Sequence, residues 1–281
     1  MQPATIKLFL AGGAPDRLRT AELSNWTGKA ISGPRSELKT FLSRDELDKP
    51  GIYILTGTDS ESGEPTLYIG EAECVSKRIK GHSDKDFWVN ATAFISKDEN
   101  LTKTHCKYLE GKLIEKATEA RRAKVLNAVS SGARLPEPDA AEMEVFLYNI
   151  YQLLPILGIN LFQIPTEQIP SGEEKLHCRI KGLEATGNRT SGGFVIYEGS
   201  QAVVEHRPSA KHIRLKRDQL IQIGILENRG THLEFTRDYE FGSPSTAGGV
   251  VRGGNTNGLT QWRTADGRML KELEESETSK A

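Results

Sequence analysis

The chain has 281 residues, 37% of them hydrophobic and 27% charged, a length suited to two domains and an apolar fraction too high for a disordered polymer. Thirty-seven Lys and Arg stand against 38 Asp and Glu, a formal net charge of −1. Bulk charge therefore argues neither for nor against a nucleic-acid partner, and only its distribution can speak.

In chain order, Thr5 to Leu10 predicts a strand, Gly12-Gly13 a turn, and Ser36 to Leu47 a helix. Pro50-Gly51 punctuates the chain before Gly51-Ile52-Tyr53-Ile54-Leu55. A polar loop from Gly57 to Pro65 leads to Thr66-Leu67-Tyr68-Ile69-Gly70, so the two β-rich runs predict an antiparallel hairpin. A helix follows from about Glu73 to His82, then a third strand from Phe87 to Ser96. Asn100 or Thr102 can cap a longer helix to about Ala123, with Cys106, Leu109, Leu113 and Ala117 as its apolar stripe. A Pro-containing loop at 135–138 precedes an apolar helix near 143–154.

After Pro165 and Pro170 short strands alternate with Gly-rich turns: Lys175 to Lys181, Phe194 to Tyr197, Ala202 to Glu205 and Leu233-Glu234-Phe235, with a helix near Ile213 to Ile225. Ser243-Pro244 reads as an N-cap and first position of a short helix. Gly248-Gly249 and Gly253-Gly254 read as turns, since no strand or GK[ST] sequence accompanies them as a phosphate loop requires. The expected divisions are 1–49, 50–165 and 166–281.

Cys74, Cys106 and Cys178 are odd in number and far apart, which disfavours a disulfide framework and a cysteine-based zinc site. The start MQPATIKLFL lacks a secretory pattern, and the most apolar stretch, Val145 to Ile164, is interrupted by Asn149, Pro155 and Asn160. A soluble, cytoplasmic protein without membrane contact is the expectation. Charge is uneven: thirteen basic residues against seven acidic between Lys77 and Arg134, and nine against three between Lys175 and Arg217. Either these are solvated faces or they face a polyanion.

The densest chemistry lies between Gly51 and Glu110. Tyr53 and Tyr68 sit one on each hairpin strand, and Arg78 and His82, four apart, share a helix face. Glu110 falls within the apolar stripe of the long helix, a costly place for a carboxylate unless something binds it. Taken one at a time, these residues have plainer readings. The tyrosines can be half-buried strand aromatics, Arg78 a surface arginine, His82 a helix C-terminal cap, and Glu110 a partner of Lys107 or Lys103.

Together, GIY at 51–53, YIG at 68–70, E-A-E-C-V-S-K-R-I-K-G-H at 71–82 and L-T-K-T-H-C-K-Y-L-E at 101–110 resemble the GIY-YIG nuclease family over about residues 50–130. The resemblance implies an α+β fold, a small antiparallel sheet flanked by helices, and a metal-dependent DNA endonuclease. It implies one divalent ion, Mg²⁺ or Mn²⁺, held by Glu110. Tyr53 and Tyr68 would lie beside the attacking water, His82 would serve or assist the general base, and Arg78 would grip the scissile phosphate. Asn127 is the candidate for an asparagine that recurs near the end of the fold. Glu71 departs from the family, where lysine often follows YIG, and puts that phosphate contact in doubt.

Residues 175–265 resemble a small domain of unknown function often fused to such nucleases, through Ser191-Gly192-Gly193-Phe194-Val195, Phe235-Thr236-Arg237-Asp238, Phe241-Gly242-Ser243-Pro244-Ser245, Asn257-Gly258 and Trp262. The expectation is a second, smaller α+β domain that positions DNA or a partner. The N-terminal segment, with Arg17, Arg19, Trp26, Lys29 and Arg35, either extends the nuclease sheet or clamps substrate. Restriction or phage defence is the expected setting, because no second incision module is visible. One such site cuts one strand per visit, so double-strand cleavage implies a homodimer or rebinding. A non-catalytic nucleic-acid-binding protein that kept the fold and a protein-interaction scaffold are the competing readings.

Overall fold

A computed structural model describes residues 3–127, 132–164, 169 and 173–279. The chain divides into two compact units, Met1–Gln163 and Ile164–Ala281. The architecture is α+β, with three sheets, eight α-helices among the described residues and no barrel.

The first unit is built on a seven-stranded sheet: β1 (Ile6–Phe9), β2 (Arg19–Leu23), β3 (Gly28–Pro34), β4 (Gly51–Thr58), β5 (Pro65–Ala72), β6 (Asn90–Ser96) and β7 (Lys124–Val125), in the order β1-β2-β3-β6-β4-β5-β7. It is larger than the small antiparallel sheet expected, and one pair, β5 with β7, is parallel. The first 49 residues supply three of its strands. β2 (RTAEL) and β3 (GKAISGP) carry few β-branched or aromatic residues, so local preference does not announce them. Long-range pairing of β3 with β6, from Gly28 opposite Ser96 to Pro34 opposite Asn90, makes a strand of β3, and β2 is held between β3 and β1. The helix expected over 36–47 is shorter. Only α1 (Leu38–Leu42) is α-helical, between two 3₁₀ turns. Ser43 donates its hydroxyl proton to the Thr40 carbonyl at 2.9 Å, a local bond of the kind that competes with helix propagation.

The predicted hairpin forms in register, Tyr53 opposite Gly70 and Leu55 opposite Tyr68. β4 is central in the sheet and buried on both faces. By the two-residue strand period, Ile52, Ile54, Leu67, Ile69 and Phe94 join the core beneath α3 (Lys103–Ala120) and α4 (Glu137–Ile156). Tyr53, Leu55, Ala72 and Ile95 join the opposite core with α1 and α2 (Val75–Lys80). Thr102 caps α3 by accepting the His105 amide at 3.2 Å, and the His105 ring returns to the Thr102 amide at 3.3 Å, a reciprocal box. No helix among the described residues is long and apolar enough to cross a membrane.

The second unit holds a four-stranded antiparallel sheet, β14-β10-β9-β8, made of β8 (Leu176–Ile180), β9 (Leu183–Thr190), β10 (Gly193–Ile196) and β14 (Tyr239–Phe241). A three-stranded sheet, β11-β13-β12, comprises β11 (Gln201–Ala202), β12 (Leu226–Asn228) and β13 (Leu233–Phe235). Four helices complete it: α5 (Lys211–Gln222), α6 (Pro244–Arg252), α7 (Gly258–Gln261) and α8 (Leu270–Thr278). Trp262 and Phe194, both fully buried with ring centroids 4.3 Å apart, centre its core. Ser243 caps α6 as its sequence predicts, accepting the Thr246 amide at 3.1 Å. Gly248 and Gly249 are not turn residues but the buried face of that helix, where a Cβ on Gly249 would press on the Ile213 side chain and the Gly254 carbonyl. Close packing rather than turn geometry explains this glycine pair.

Candidate active site

Two clusters hold the predicted residues, one on each face of the sheet. The first is aromatic and lies on the α2 face of the sheet. Tyr53 and Tyr68 stack with ring centroids 6.1 Å apart. His82 packs against both, at 5.7 Å from Tyr53 and 4.9 Å from Tyr68, and its Nε2 is 3.0 Å from the Tyr53 hydroxyl. Tyr53 is fully buried and His82 is 4% exposed, whereas Tyr68 is half-buried and forms the open side of the cluster.

The two motif glycines have steric roles. A Cβ on Gly70 would coincide with the ring and hydroxyl of Tyr53, so only glycine lets that phenol lie across β5. A Cβ on Gly51 would strike the Phe94 carbonyl on β6.

His82 lies past the end of α2, whose C-cap is Gly81, and its side chain turns inward rather than capping the helix. The chain after it is pinned from outside the motif. The fully buried Trp88 donates its indole proton to the His82 carbonyl at 3.0 Å. Arg35 donates to the Ser83 carbonyl at 2.8 Å and stacks over Trp88, 4.8 Å from the ring. Sequence reasoning missed both supports. Arg35 lies 53 residues before Trp88, a separation at which no local pattern signals contact.

Burial sets the protonation states here. It raises the Tyr53 phenol above its ordinary range, the neighbouring Tyr68 adds to the effect, and the Arg78 guanidinium opposes it. Burial lowers the His82 imidazole, helped by the positive Lys85 and Arg78 and opposed by Asp84. At neutral pH the pair is thus a neutral phenol and a neutral imidazole sharing one hydrogen bond, while His82 Nδ1 is buried without a partner among the described residues. The unprotonated imidazole of such a pair is free to accept a proton from the phenol.

The second cluster is acidic and lies on the α3 face. Glu110 is half-buried on α3, and Glu71 ends the alternation Leu67, Ile69, Glu71 on that face of β5. Desolvation raises the Glu110 carboxyl and the charge of Glu71 raises it further, against the Glu71 backbone amide, Lys107 and Arg78, which favour the ionised form. One turn earlier, buried Cys106 is pushed up to about 12 by burial and then by the same two carboxylates. Lys103 pairs instead with Glu73 at 3.4 Å. Glu71, singled out in the sequence only as a departure, is thus the immediate neighbour of Glu110.

Arg78 belongs with the first cluster. It is exposed, its guanidinium interacts with the phenols of Tyr53 and Tyr68, and its charge also acts on Glu110. Asn127 takes a different place. Its Oδ1 accepts the Ile69 amide at 3.2 Å and its Nδ2 donates to the Ile69 carbonyl, so the side chain is committed to the strand edge beside Tyr68.

The two carboxylates suit a hard divalent cation. A half-buried acid that already binds its proton too tightly gains from any compensating positive charge. The described residues contain no group of three or more His, Cys, Asp or Glu able to hold a metal, so further ligands would be waters, the habit of Mg²⁺.

Comparison with known proteins bears on the second unit. Residues 176–274 match the family model of a domain of unknown function (DUF4357). No curated protein matches the chain. No solved structure matches it either.

Proposed function

We propose that the first unit is a metal-dependent endonuclease that hydrolyses phosphodiester bonds in DNA. The observation that carries this reading is the cluster of Tyr53, Tyr68 and His82, with its 3.0 Å contact between the Tyr53 hydroxyl and His82 Nε2, beside Arg78 on one face of the sheet, with the half-buried carboxylate Glu110 on the other. Phosphodiester hydrolysis needs those three elements: a proton acceptor for water, a cation at the phosphoryl oxygens, and an acid to hold a metal.

In this reading Arg78 grips the scissile phosphate through its planar fork. Tyr68, on the open side, orients the attacking water. Tyr68 takes that water's proton as its own passes to the buried Tyr53, which in turn gives its proton to His82 Nε2 across the 3.0 Å contact. Trp88 and Arg35 hold the chain around His82 in place. Glu110, with Glu71 beside it, would hold the divalent ion. When bound, that ion supplies Lewis-acid polarisation of a phosphoryl oxygen and stabilises the departing alkoxide. One such site cuts one strand, so double-strand cleavage would come from two copies or two visits. The DUF4357 match is compatible with a module that assists DNA positioning in a restriction or defence setting.

The test is plasmid nicking with Mg²⁺ or Mn²⁺. Wild type should convert supercoiled plasmid to open circle, and Arg78→Ala and Glu110→Ala should each lose about 10²–10³-fold or more. Plasmid binding without cleavage in any divalent metal would assign the fold to binding alone.

A further inference from the structure

We propose that the open groove between α1 and α2 binds the sugar-phosphate backbone of the DNA flanking the cleaved bond. This rests on the endonuclease reading for the identity of the bound polymer, and it concerns a different face of α2 from the one that carries Arg78.

The groove has a volume of about 610 Å³. Lys39 of α1 lines one wall and Lys77 and Lys80 of α2 the other. Positions 77 and 80 are three apart and so neighbours on one side of the helix, while Arg78 turns toward Tyr53. α2 therefore separates the candidate active site from the groove, and one strand can be held on both sides of it.

The three lysines differ from most others of this unit. Lys29, Lys49, Lys97, Lys103, Lys112 and Lys124 each meet a carboxylate within 4.0 Å. Lys39, Lys77 and Lys80 are exposed and form no ion pair or side-chain hydrogen bond among the described residues. The acids near the groove do not neutralise them: Asp48 accepts the Ser76 hydroxyl, and Asp84 follows Ser83 on the rim without pairing to any of the three.

The floor is apolar, formed by the half-buried Leu38 and Leu42. Three unpaired ammonium groups around an aliphatic floor suit a polymer with regularly spaced charges and less polar sugars between them. Neutralising phosphates releases condensed counterions, at a slope of about −0.9 in log K against log salt for each phosphate on duplex DNA.

The experiment measures binding of the full chain to a fluorescein-labelled DNA duplex in EDTA across a salt series, and then cleavage of the same duplex in Mg²⁺. The triple variant Lys39→Gln/Lys77→Gln/Lys80→Gln should bind at least about 10-fold more weakly at low salt, with a salt slope shallower by about 2 to 3. Its cleavage defect should fall on KM. The triple Lys→Arg variant should keep the wild-type slope, since it keeps the charge. Wild-type affinity and slope in the Gln variant would overturn the proposal. So would tighter binding of the wild type to duplex RNA or to anionic phospholipid vesicles than to DNA. Failure of the two ideas is distinguishable. Wild-type cleavage with an unaffected Gln variant removes the groove and leaves the nuclease. Lysine-dependent DNA binding without cleavage leaves the groove and removes the catalytic reading.

Discussion

Glu110 carries a load imposed by its own burial and by Glu71. Its carboxyl is raised in the folded chain, so the stability it contributes is present below the ordinary glutamate range and is lost as pH rises through the raised value. At neutral pH and without metal the ionised side chain is therefore a liability. Glu110→Gln should raise the melting temperature in EDTA by a few degrees while abolishing cleavage, and Mg²⁺ should raise the melting temperature of wild type but not of the variant. Differential scanning fluorimetry with and without Mg²⁺ reads both effects. The pH profile of cleavage follows from the same residues. At limiting Mg²⁺ the rate should rise on the acid side as the metal-free Glu110 ionises and becomes able to hold the ion, at a pH above that of an ordinary glutamate. It should hold through neutrality, because the lowered His82 stays unprotonated there. Gly70→Ala tests the steric claim. The added methyl must displace Tyr53, so kcat should fall by about 10²-fold, as for a small misplacement of catalytic groups, with DNA affinity unchanged.

At the scale of elements, α3 presents Glu110 only if its first turn is held. Thr102→Ala removes one half of the cap with His105 and should cost about 1 kcal/mol, read as a shift in the urea midpoint. β5 is held at Ile69 by Asn127, one residue from Tyr68. Asn127→Ala should speed amide exchange at Ile69 and lower kcat more than it raises KM, because the substitution loosens the strand that carries Tyr68 without touching the Arg78 side of the site. Equal exchange in the two proteins would remove that positioning role. The loop after α2 depends on Trp88 and Arg35, two residues outside every recognisable motif.

For the whole molecule, the two compact units each close their own apolar core. Trp262 is fully buried in the second, against Phe194. Trp262→Ala should destabilise that unit by about 3–5 kcal/mol. Hydrogen exchange should then show faster opening of β8 to β10, with protection of the central strands β4 and β6 retained. Loss of protection in both sheets would mean that the units unfold as one.

Much of the first unit is legible in the sequence because its signals are local. The hairpin and the capped start of α3 follow from spacings of a few residues, which backbone geometry converts directly into strand faces and a helix start, whereas the helix face expected to carry both Arg78 and His82 ends at Lys80 and His82 turns inward beyond it. The strands β2 and β3 were not legible. Their short runs have little β character of their own: β3 becomes a strand by pairing with β6, some 60 residues away, and β2 by pairing in turn with β3 and β1. The same holds within the site. Tyr53, Tyr68 and His82 are named by motif, but the neutral state of the phenol and imidazole comes from burial between elements. The closeness of Glu71 to Glu110, the clasp of Asn127 on Ile69 and the unpaired lysines facing one another across the α1–α2 groove are likewise decided by packing. Local sequence specifies which chemical groups the chain carries and which face of an element each one takes. Which groups lose their water, and which charges are left without a partner, depends on contacts between distant segments, and these exist only once the sheet has closed and the helices have packed against it.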